Sequence, residues 1–319
     1  MIRKTYHPEK NLPAEYTQAN SKLQSLKLAG VKLLGFDYDL TLFDGKDPRY
    51  SHEQVVELGF IIQQSNIYYL IMSSRSATLH RLFRDITAKI FQSNNNILPL
   101  TCYLSGGNGM NLSEVTFDRQ GATTKTIYEN VMTEDVILKV LEVYFGLNIK
   151  NPDQKAKTVF HNFLYKTNWQ DLVPQKLLEM SKRYNDTVFV EGGKVSLILP
   201  AQQAERNVYL QQLRELLQPQ GLNVVCNEEP FVHVSMQMPM DGKLMAARTV
   251  MERLEITDEQ AGFFGDSPNG NDKGILSLLY SFTNCKRLSK QSLESPPYIL
   301  KTTDSPVGAV HEAIHVLLK

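Results

Sequence analysis

A short apolar run over residues 31–36 leads directly into Asp37, Tyr38 and Asp39. A run of this length is typical of a buried strand, so two carboxylates separated by one residue leave its carboxyl end. There, one carboxylate can point into a crevice while the other swings back beside it, which provides a nucleophile and an acid/base for one substrate atom. The feature therefore predicts an α/β chain with phosphoryl chemistry at a strand end, although a turn that caps a strand has the same sequence.

Two further segments have the composition that such a site needs. Residues 68–72 form a second apolar run, and Ser73 and Arg75 follow it. Ser73 is thereby predicted to bind a phosphoryl oxygen at a second strand end. Later in the chain, Lys243 opens a segment in which apolar residues recur at helical spacing. This spacing predicts that Lys243 lies in the first turn of a helix.

A third apolar run, residues 261–265, continues into a loop that is rich in carboxylate and amide oxygens. The loop contains Asp266, Asn271 and Asp272. Mg²⁺ prefers oxygen ligands in near-octahedral geometry and keeps several of its waters, so a few such side chains are enough to bind it. The loop therefore predicts a magnesium site.

Taken in order, these segments resemble the four motifs of the haloacid dehalogenase-like (HAD) phosphotransferase superfamily, from about residue 33 to the C-terminus. Within it the chain is similar to the large-capped sugar-phosphatase (Cof-like) branch. Residues 73–76 stand where that branch has Thr-Gly-Arg-Ser, and Asn108 belongs to an Asn-Gly pair like the one that precedes its cap. The resemblance implies an α/β fold, with a Rossmann-like doubly wound parallel-sheet core and an inserted α/β cap domain.

The resemblance also implies a role for each candidate residue. Asp37 would be the nucleophile, and Asp39 would be the acid/base of both half-reactions. Phosphoryl oxygens would contact Thr41, Ser73 and Lys243, substrate would contact Arg75 and Asn108, and Mg²⁺ would be held by Asp37, the backbone carbonyl of Asp39, Asp266, Asn271 and Asp272. The implied activity is Mg²⁺-dependent hydrolysis of a sugar phosphate or another small phosphomonoester through a phospho-aspartate.

The fourth motif departs from the usual Gly-Asp-x-x-Asn-Asp pattern, because the Asn-Asp pair comes two residues late. In one register Asn269 takes the usual place and the last carboxylate is missing. In the other, the loop bulges at Pro268 and Gly270, and Asn271 and Asp272 complete the site. The second register is favoured, because these two residue types permit a bulge.

Three other functions remain as alternatives. Longer Gly-rich loops that end in Asn-Asp resemble those of eukaryotic-type phosphomannomutases, which makes a hexose-phosphate phosphomutase the first of them. Residues 190–196 lack the arginines with which those mutases hold a second phosphate, and residues 39–41 lack their glycine. A phosphoprotein or phospholipid phosphatase and an inactive binding module are the others.

Domain organisation follows from the length and from the motif order. A chain of 319 residues predicts two domains, since single cores rarely exceed ~250–300 residues. We expect an N-terminal extension over residues 1–30 with a short helix near 16–28. The core would comprise residues 31–110 and 236–319 and the cap residues 111–235, with hinges near Asn111 and His233.

Composition limits the possible partners. Lys plus Arg and Asp plus Glu are each 34, so there is no excess positive charge to hold a nucleic acid. No apolar stretch approaches the ~18 residues of a membrane span. Cys102, Cys226 and Cys285 are far apart in the sequence, which suggests reduced thiols and a cytoplasmic location. The expected partner is a small phosphorylated substrate, and the oligomeric state is left open.

The sequence 311–315 reads His-Glu-x-x-His, the pattern of a zinc protease helix. Only four residues follow it, too few to supply a third ligand further along the chain. Ala313, Ile314 and Leu317 instead have the spacing of a helix that packs on a sheet. We therefore predict a C-terminal packing helix.

Overall fold

The computed structural model describes residues 14–74, 77–94, 96–158, 179, 187–191, 193–226, 231–268, 270–284, 297–300 and 305–319. Arg75, Asn269 and Cys285, which the sequence singles out, lie outside these ranges. Among the described helices, none combines the length and the apolar character that are needed to cross a membrane.

The regular elements of the described residues follow one another in an α/β order. The strands are β1 (Leu33–Asp37), β2 (Tyr68–Met72), β3 (Leu100–Gly106), β4 (Asn111–Asp118), β5 (Gly121–Glu129), β6 (Val188–Glu191), β7 (Lys194–Ile198), β8 (Leu222–Cys226), β9 (Phe231–Met236), β10 (Ala261–Gly265), β11 (Ser281–Thr283) and β12 (Tyr298–Ile299). The helices are α1 (Ala14–Leu28), α2 (His52–Gln64), α3 (Ala77–Ser93), α4 (Glu134–Gly146), α5 (Gln203–Leu217), α6 (Gly242–Arg253) and α7 (Pro306–Leu318).

The larger sheet has eight strands in the order β12-β11-β10-β1-β2-β3-β4-β5. The strands from β12 to β3 run parallel, and β1 lies between β10 and β2. Every residue of β1 and β10 is buried. Parallel strands covered on both faces read as continuous apolar runs, which is why the sequence marks these strands clearly.

Helices cover both faces of this sheet. On one face, α1, α2, α3 and α7 enclose a core in which the rings of Phe36 and Phe264 stack with their centroids 5.0 Å apart. On the other face, α6 packs through Ala247 and Val250 on Leu33 and its neighbours. The prediction of a doubly wound α/β core is confirmed.

The N-terminal helix α1 is part of the core packing. Its residues Ala19, Leu23 and Leu26 are buried in the same apolar cluster as α2 and α7. The helix lies against β12 and α7. Helix α1, within the segment predicted as an extension, therefore covers one end of the sheet.

The prediction that the cap starts at residue 111 is wrong, because the strands that follow this residue belong to the core sheet. Strand β4 pairs antiparallel with β3, and β5 pairs antiparallel with β4, so residues 111–129 extend the core sheet as a hairpin. The alternating pattern of these residues predicts a strand but does not show which sheet it joins. The inserted unit begins after Glu129.

Neither predicted hinge position is where the chain crosses between the core and the cap. Asn111 pairs with Gly106 inside the core sheet, and His233 pairs with Ser196 inside the cap sheet. The chain crosses between the units at residues 130–133 and 237–241, where the Asn130 side-chain amide contacts the Met238 sulfur at 3.1 Å. The two crossing segments therefore run side by side.

The inserted unit has its own sheet and its own core. Four antiparallel strands are ordered β6-β7-β9-β8. Helices α4 and α5 bury apolar residues such as Val140 and Leu213 against Val195, Leu197 and Val234 of one sheet face. The prediction of an inserted α/β cap is confirmed for the described residues.

Candidate active site

Side chains from three adjacent parallel strands meet at one edge of the large sheet. Asp37 is the last residue of β1, while Ser73 and Asp266 directly follow β2 and β10, which flank β1. The carboxyl ends of neighbouring parallel strands open onto the same crevice. Asp37 and Ser73 are buried, and Asp266 is partly buried. The three side chains that the sequence predicts for the site therefore lie at the same edge of the sheet.

Lys243 lies between two carboxylates at this edge of the sheet. Its Nζ donates to Asp37 Oδ1 and to Asp272 Oδ1, at 2.5 Å in each case, and its side chain is fully buried. The helix that carries it is capped by Asp241, whose carboxylate accepts from the Leu244 N–H at 3.1 Å. Burial alone lowers the pKa of Lys243, but Asp272 and Asp37 outweigh burial and raise it above its usual value. Lys243 is therefore a fixed ammonium.

The loop after β10 folds back so that Asp272 enters the cluster. Its Oδ2 accepts from the backbone N–H groups of Asp266 and Ser267, at 3.1 and 3.0 Å. A Cβ at Gly265 would lie 2.8 Å from the same oxygen, so the fold requires a glycine at the end of β10. Asp272 therefore lies against Lys243 and the end of β10.

Three carboxylates crowd around this one ammonium. Asp37, Asp266 and Asp272 each offer an oxygen, and these atoms all lie within 4.8 Å of one another. Burial, followed by the charge of Asp272, raises the pKa of Asp37 well above its usual value. The same two causes raise the pKa of Asp266 to about 7. Charged carboxylates at this spacing need more positive charge than Lys243 supplies.

Asp39 lies on a tight turn beside the cluster and is partly buried. The turn is closed by hydrogen bonds from the N–H groups of Leu42 and Phe43 to the Tyr38 carbonyl, at 3.1 and 3.0 Å. Leu40 has a φ of 60°, in the left-handed region that non-glycine residues rarely adopt. The turn thus carries Asp39 two residues beyond Asp37.

The remaining predicted contacts surround the same edge. The buried Thr41 hydroxyl donates to Asp37 Oδ2 at 3.3 Å. The Ser73 carbonyl accepts from the Asn108 N–H at 3.0 Å. Asn108 Oδ1 accepts from Asn271 Nδ2 at 3.2 Å, which ties the loop before β4 to the loop after β10. Asn108 and Asn271 are thus joined to each other, while Arg75 lies outside the described residues.

Sequence reasoning missed the side chains that hold the Asp39 turn. Asn284 Nδ2 donates to the Leu40 carbonyl at 2.8 Å, and His311 Nε2 lies 3.1 Å from the Leu42 carbonyl oxygen. The second contact uses a nitrogen of the His-Glu-x-x-His pattern, in keeping with a packing helix. Neither contact has a local signal, because more than two hundred residues separate the partners.

No protein-family model and no curated protein matches the chain. Several solved structures match it over almost its whole length. A putative HAD/COF-like hydrolase from Plasmodium vivax is 19% identical, with 93% of this chain and 98% of that chain covered and a TM-score of 0.60. A phosphatase of the haloalkanoate (HAD) enzyme superfamily from Bacteroides thetaiotaomicron is 15% identical, with 91% and 97% covered and a TM-score of 0.55. An IMP-nucleotidase from Plasmodium falciparum is 13% identical, with 94% and 72% covered and a TM-score of 0.50.

The similarity to these structures extends through both the doubly wound core and the inserted cap, since it covers more than nine tenths of the chain in each case. At this level of identity the likeness concerns the fold. The chain therefore has the fold of the Cof-like hydrolases and phosphatases of the haloacid dehalogenase superfamily.

Proposed function

We propose that the protein hydrolyses phosphomonoesters in a Mg²⁺-dependent reaction with Asp37 as the nucleophile. The observation that supports this most directly is the contact of 2.5 Å between Asp37 Oδ1 and Lys243 Nζ, inside a carboxylate cluster at the sheet edge. An anionic nucleophile can approach a phosphoryl group only where fixed positive charge offsets the repulsion. Lys243 provides that charge at the reacting atom.

The donor set fits Mg²⁺. Three carboxylates against one ammonium leave two formal negative charges in excess, and their oxygens are close enough to share one ion. Asp272 is fully buried, and its carboxylate accepts from Lys243 and from two backbone N–H groups of its own loop, so we assign it to the orientation of Lys243 and of the loop. Asp37, Asp266, the Asp39 carbonyl and Asn271 are the proposed ligands. When bound, Mg²⁺ supplies positive charge that offsets the charge of the phosphoryl oxygens.

In the first half-reaction, a carboxylate oxygen of Asp37 forms a bond to phosphorus while the ester P–O bond breaks. The proton of the Asp39 carboxyl passes to the leaving alcohol oxygen, so the alcohol departs neutral. Lys243 stays in contact with Asp37 and stabilises the charge on the transferring group. The product is a phospho-aspartate at Asp37.

In the second half-reaction, the Asp39 carboxylate removes a proton from a water molecule. The water oxygen forms a bond to phosphorus and the acyl-phosphate bond to Asp37 breaks, which releases inorganic phosphate. One residue can serve both steps, because it loses its proton in the first and regains one in the second. The proposed roles of Thr41 and Ser73 are to donate hydrogen bonds to phosphoryl oxygens.

The substrate is proposed to be a small phosphorylated molecule. Asn108 and Arg75 are the proposed contacts to the part of the substrate beyond the phosphoryl group. A sugar phosphate is one candidate class, and a nucleoside monophosphate is another, since one structural neighbour is an IMP-nucleotidase. Both classes belong in the same substrate panel.

The test is phosphate release from a panel of sugar phosphates, nucleoside monophosphates and p-nitrophenyl phosphate, with Mg²⁺ and with a chelator. Wild type, Asp37→Asn and Asp85→Asn would be compared, because Asp85 is an exposed aspartate that pairs only with surface arginines in the contacts described. Acid quenching and mass spectrometry of the intact protein would detect the phospho-enzyme.

We expect Mg²⁺-dependent release and a phosphorylated intermediate in wild type and Asp85→Asn, and neither in Asp37→Asn. Release by Asp37→Asn at the wild-type rate would contradict the role of Asp37. No release from any panel member would contradict the proposed activity. A requirement for a bisphosphate activator would favour the mutase alternative.

A further inference from the structure

Tyr38 separates the two carboxylates of the candidate site, and its side chain reaches away from them into the core. The residue is fully buried. Its hydroxyl oxygen lies 2.5 Å from Nδ1 of His52, the first residue of α2. A hydroxyl at this position therefore has a fixed partner on a neighbouring helix.

The contact is part of a stack of three rings. Phe43 and His52 stack face to face with their ring centroids 3.8 Å apart, and the Tyr38 ring lies nearly parallel to both. Tyr38 and Phe43 are also the two ends of the turn that carries Asp39, since the Phe43 N–H donates to the Tyr38 carbonyl at 3.0 Å. His52 thus contacts both ends of this turn.

The turn between these two ends is not one that its sequence favours. Leu40 has a φ of 60° and a largely exposed side chain, so its own packing does little to hold that conformation. Non-glycine residues keep such a backbone only where their surroundings enforce it. The contacts of Tyr38 and Phe43 with His52 constrain the two ends of the turn, while Asn284 and His311 contact the Leu40 and Leu42 carbonyls within it.

We propose that His52 is a positioning residue, which holds the carboxyl group of Asp39 in place through Tyr38 and Phe43. The inference rests on the proposed function, in which Asp39 gives a proton to the leaving oxygen. A general acid is efficient only at hydrogen-bonding distance from the atom that it protonates. Loosening the turn would therefore weaken proton donation more than the contact between Asp37 and Lys243, which involves no residue of the turn.

This role predicts a dependence on the leaving group that a general loss of stability would not produce. An acidic phenol departs readily without a proton, whereas a less acidic phenol needs the acid. The measurement is kcat/KM for p-nitrophenyl, phenyl and 4-methoxyphenyl phosphate, because this ratio reports the step that precedes hydrolysis of the phospho-enzyme. The variants are Tyr38→Phe and His52→Phe, which remove the hydrogen bond and keep a ring.

Tyr69→Phe is the matched control. Tyr69 is a fully buried tyrosine on β2 whose hydroxyl donates to the Val55 carbonyl of the same helix α2 at 3.1 Å. Asp39→Asn sets the scale for complete loss of the acid. A second readout, the thermal midpoint of each variant, shows whether Tyr38→Phe and Tyr69→Phe are destabilised alike.

In Tyr38→Phe and His52→Phe, we expect the fold-loss of kcat/KM to be about ten times larger for phenyl phosphate than for p-nitrophenyl phosphate. This factor is a part of the ~10²–10⁴-fold that general acid catalysis contributes. Tyr69→Phe should lose the same fraction for every ester. If the wild type is active and the Tyr38 and His52 variants depend on the leaving group only as Tyr69→Phe does, the positioning role alone is overturned. A wild type that releases no phosphate from any ester would overturn the proposed function and this inference together.

Discussion

The backbones of Gly109 and Gly242 touch: a Cβ at Gly109 would lie 2.0 Å from the carbonyl carbon of Gly242, and a Cβ at Gly242 would lie 2.1 Å from the Asn108 carbonyl oxygen. Gly242 begins α6, so the next residue is Lys243. The loop before the β4–β5 hairpin and the start of the lysine helix are therefore packed as one unit. No side chain fits between them.

This contact makes Gly109→Ala strongly destabilising. Gly109 has a φ of 88°, and Gly221 has a similar φ of 77° with nothing within 4 Å of the position that a Cβ would take. Gly221→Ala therefore isolates the backbone penalty, roughly 1–2 kcal/mol. Gly109→Ala should lose a further ~1–3 kcal/mol because of overpacking. Urea unfolding would measure both, and equal losses would contradict the packing argument.

Lys243→Met should be one of the more damaging substitutions in the core. It leaves Asp37 and Asp272 buried without their ammonium, and breaking a buried ion pair in this way typically costs ~3–5 kcal/mol. Phosphate release should fall below detection, since the fixed charge at the reacting atom is lost. The free energy of unfolding in the presence of a chelator is the decisive readout.

The double variant Lys243→Met with Asp272→Asn provides the control for that prediction. It removes one of the stranded carboxylate charges, so it should be more stable than Lys243→Met alone. Phosphate release should not recover. Additive losses of stability in the double variant would show that the pair Lys243–Asp272 is not coupled.

Mg²⁺ should stabilise the folded protein through Asp37 and Asp266. A ligand that binds only the native state adds RT ln(1 + [L]/Kd), about 2.7 kcal/mol at one hundred times Kd. We expect the thermal midpoint of wild type and of Asp85→Asn to rise on titration with Mg²⁺, and that of Asp266→Asn to rise much less. A midpoint that rises equally in all three would indicate binding elsewhere.

His233 should give the cap a pH-dependent component of stability. Burial, and then the positive charge of Lys194, lowers the pKa of His233 well below its usual value. The unfolded chain therefore takes up a proton near pH 6.5 that the folded chain does not, so stability is lost as the pH falls below about 6.5. For one group this loss is at most ~1.4 kcal/mol per pH unit.

The check is urea unfolding of wild type and His233→Gln between pH 7 and pH 5. The variant should lose less stability over this range than wild type, because it lacks the group that titrates. His315→Gln, at an exposed position on α7, controls for the loss of any histidine. Parallel curves for wild type and His233→Gln would contradict the prediction.

Much of the site's placement follows from the sequence, because Asp37, Ser73 and Asp266 each come directly after a run of apolar residues. Buried parallel strands have to be such runs, and their carboxyl ends have to meet. The position of Asp272 was harder to predict. Its place in the cluster depends on how a loop folds back onto the N–H groups of Asp266 and Ser267, and the sequence permits two registers there.

Two features could not be predicted, for different reasons. The β4–β5 hairpin has the alternation of any half-exposed strand pair, and only its pairing with β3 assigns it to the core. His52 reads as the start of a helix after an N-capping Ser51. Its contact with Tyr38 depends on where α2 lies against the sheet, which local sequence does not encode.

The β4–β5 hairpin also determines where the cap is attached. Asn111 at its start pairs with Glu129 at its end, and the Asn130 N–H donates to the Met110 carbonyl at 2.8 Å. The chain thus runs out along the core sheet in β4 and returns in β5 to the point from which it departed. Because the two ends of the hairpin are paired with each other, its length can change without moving the cap relative to Asp37.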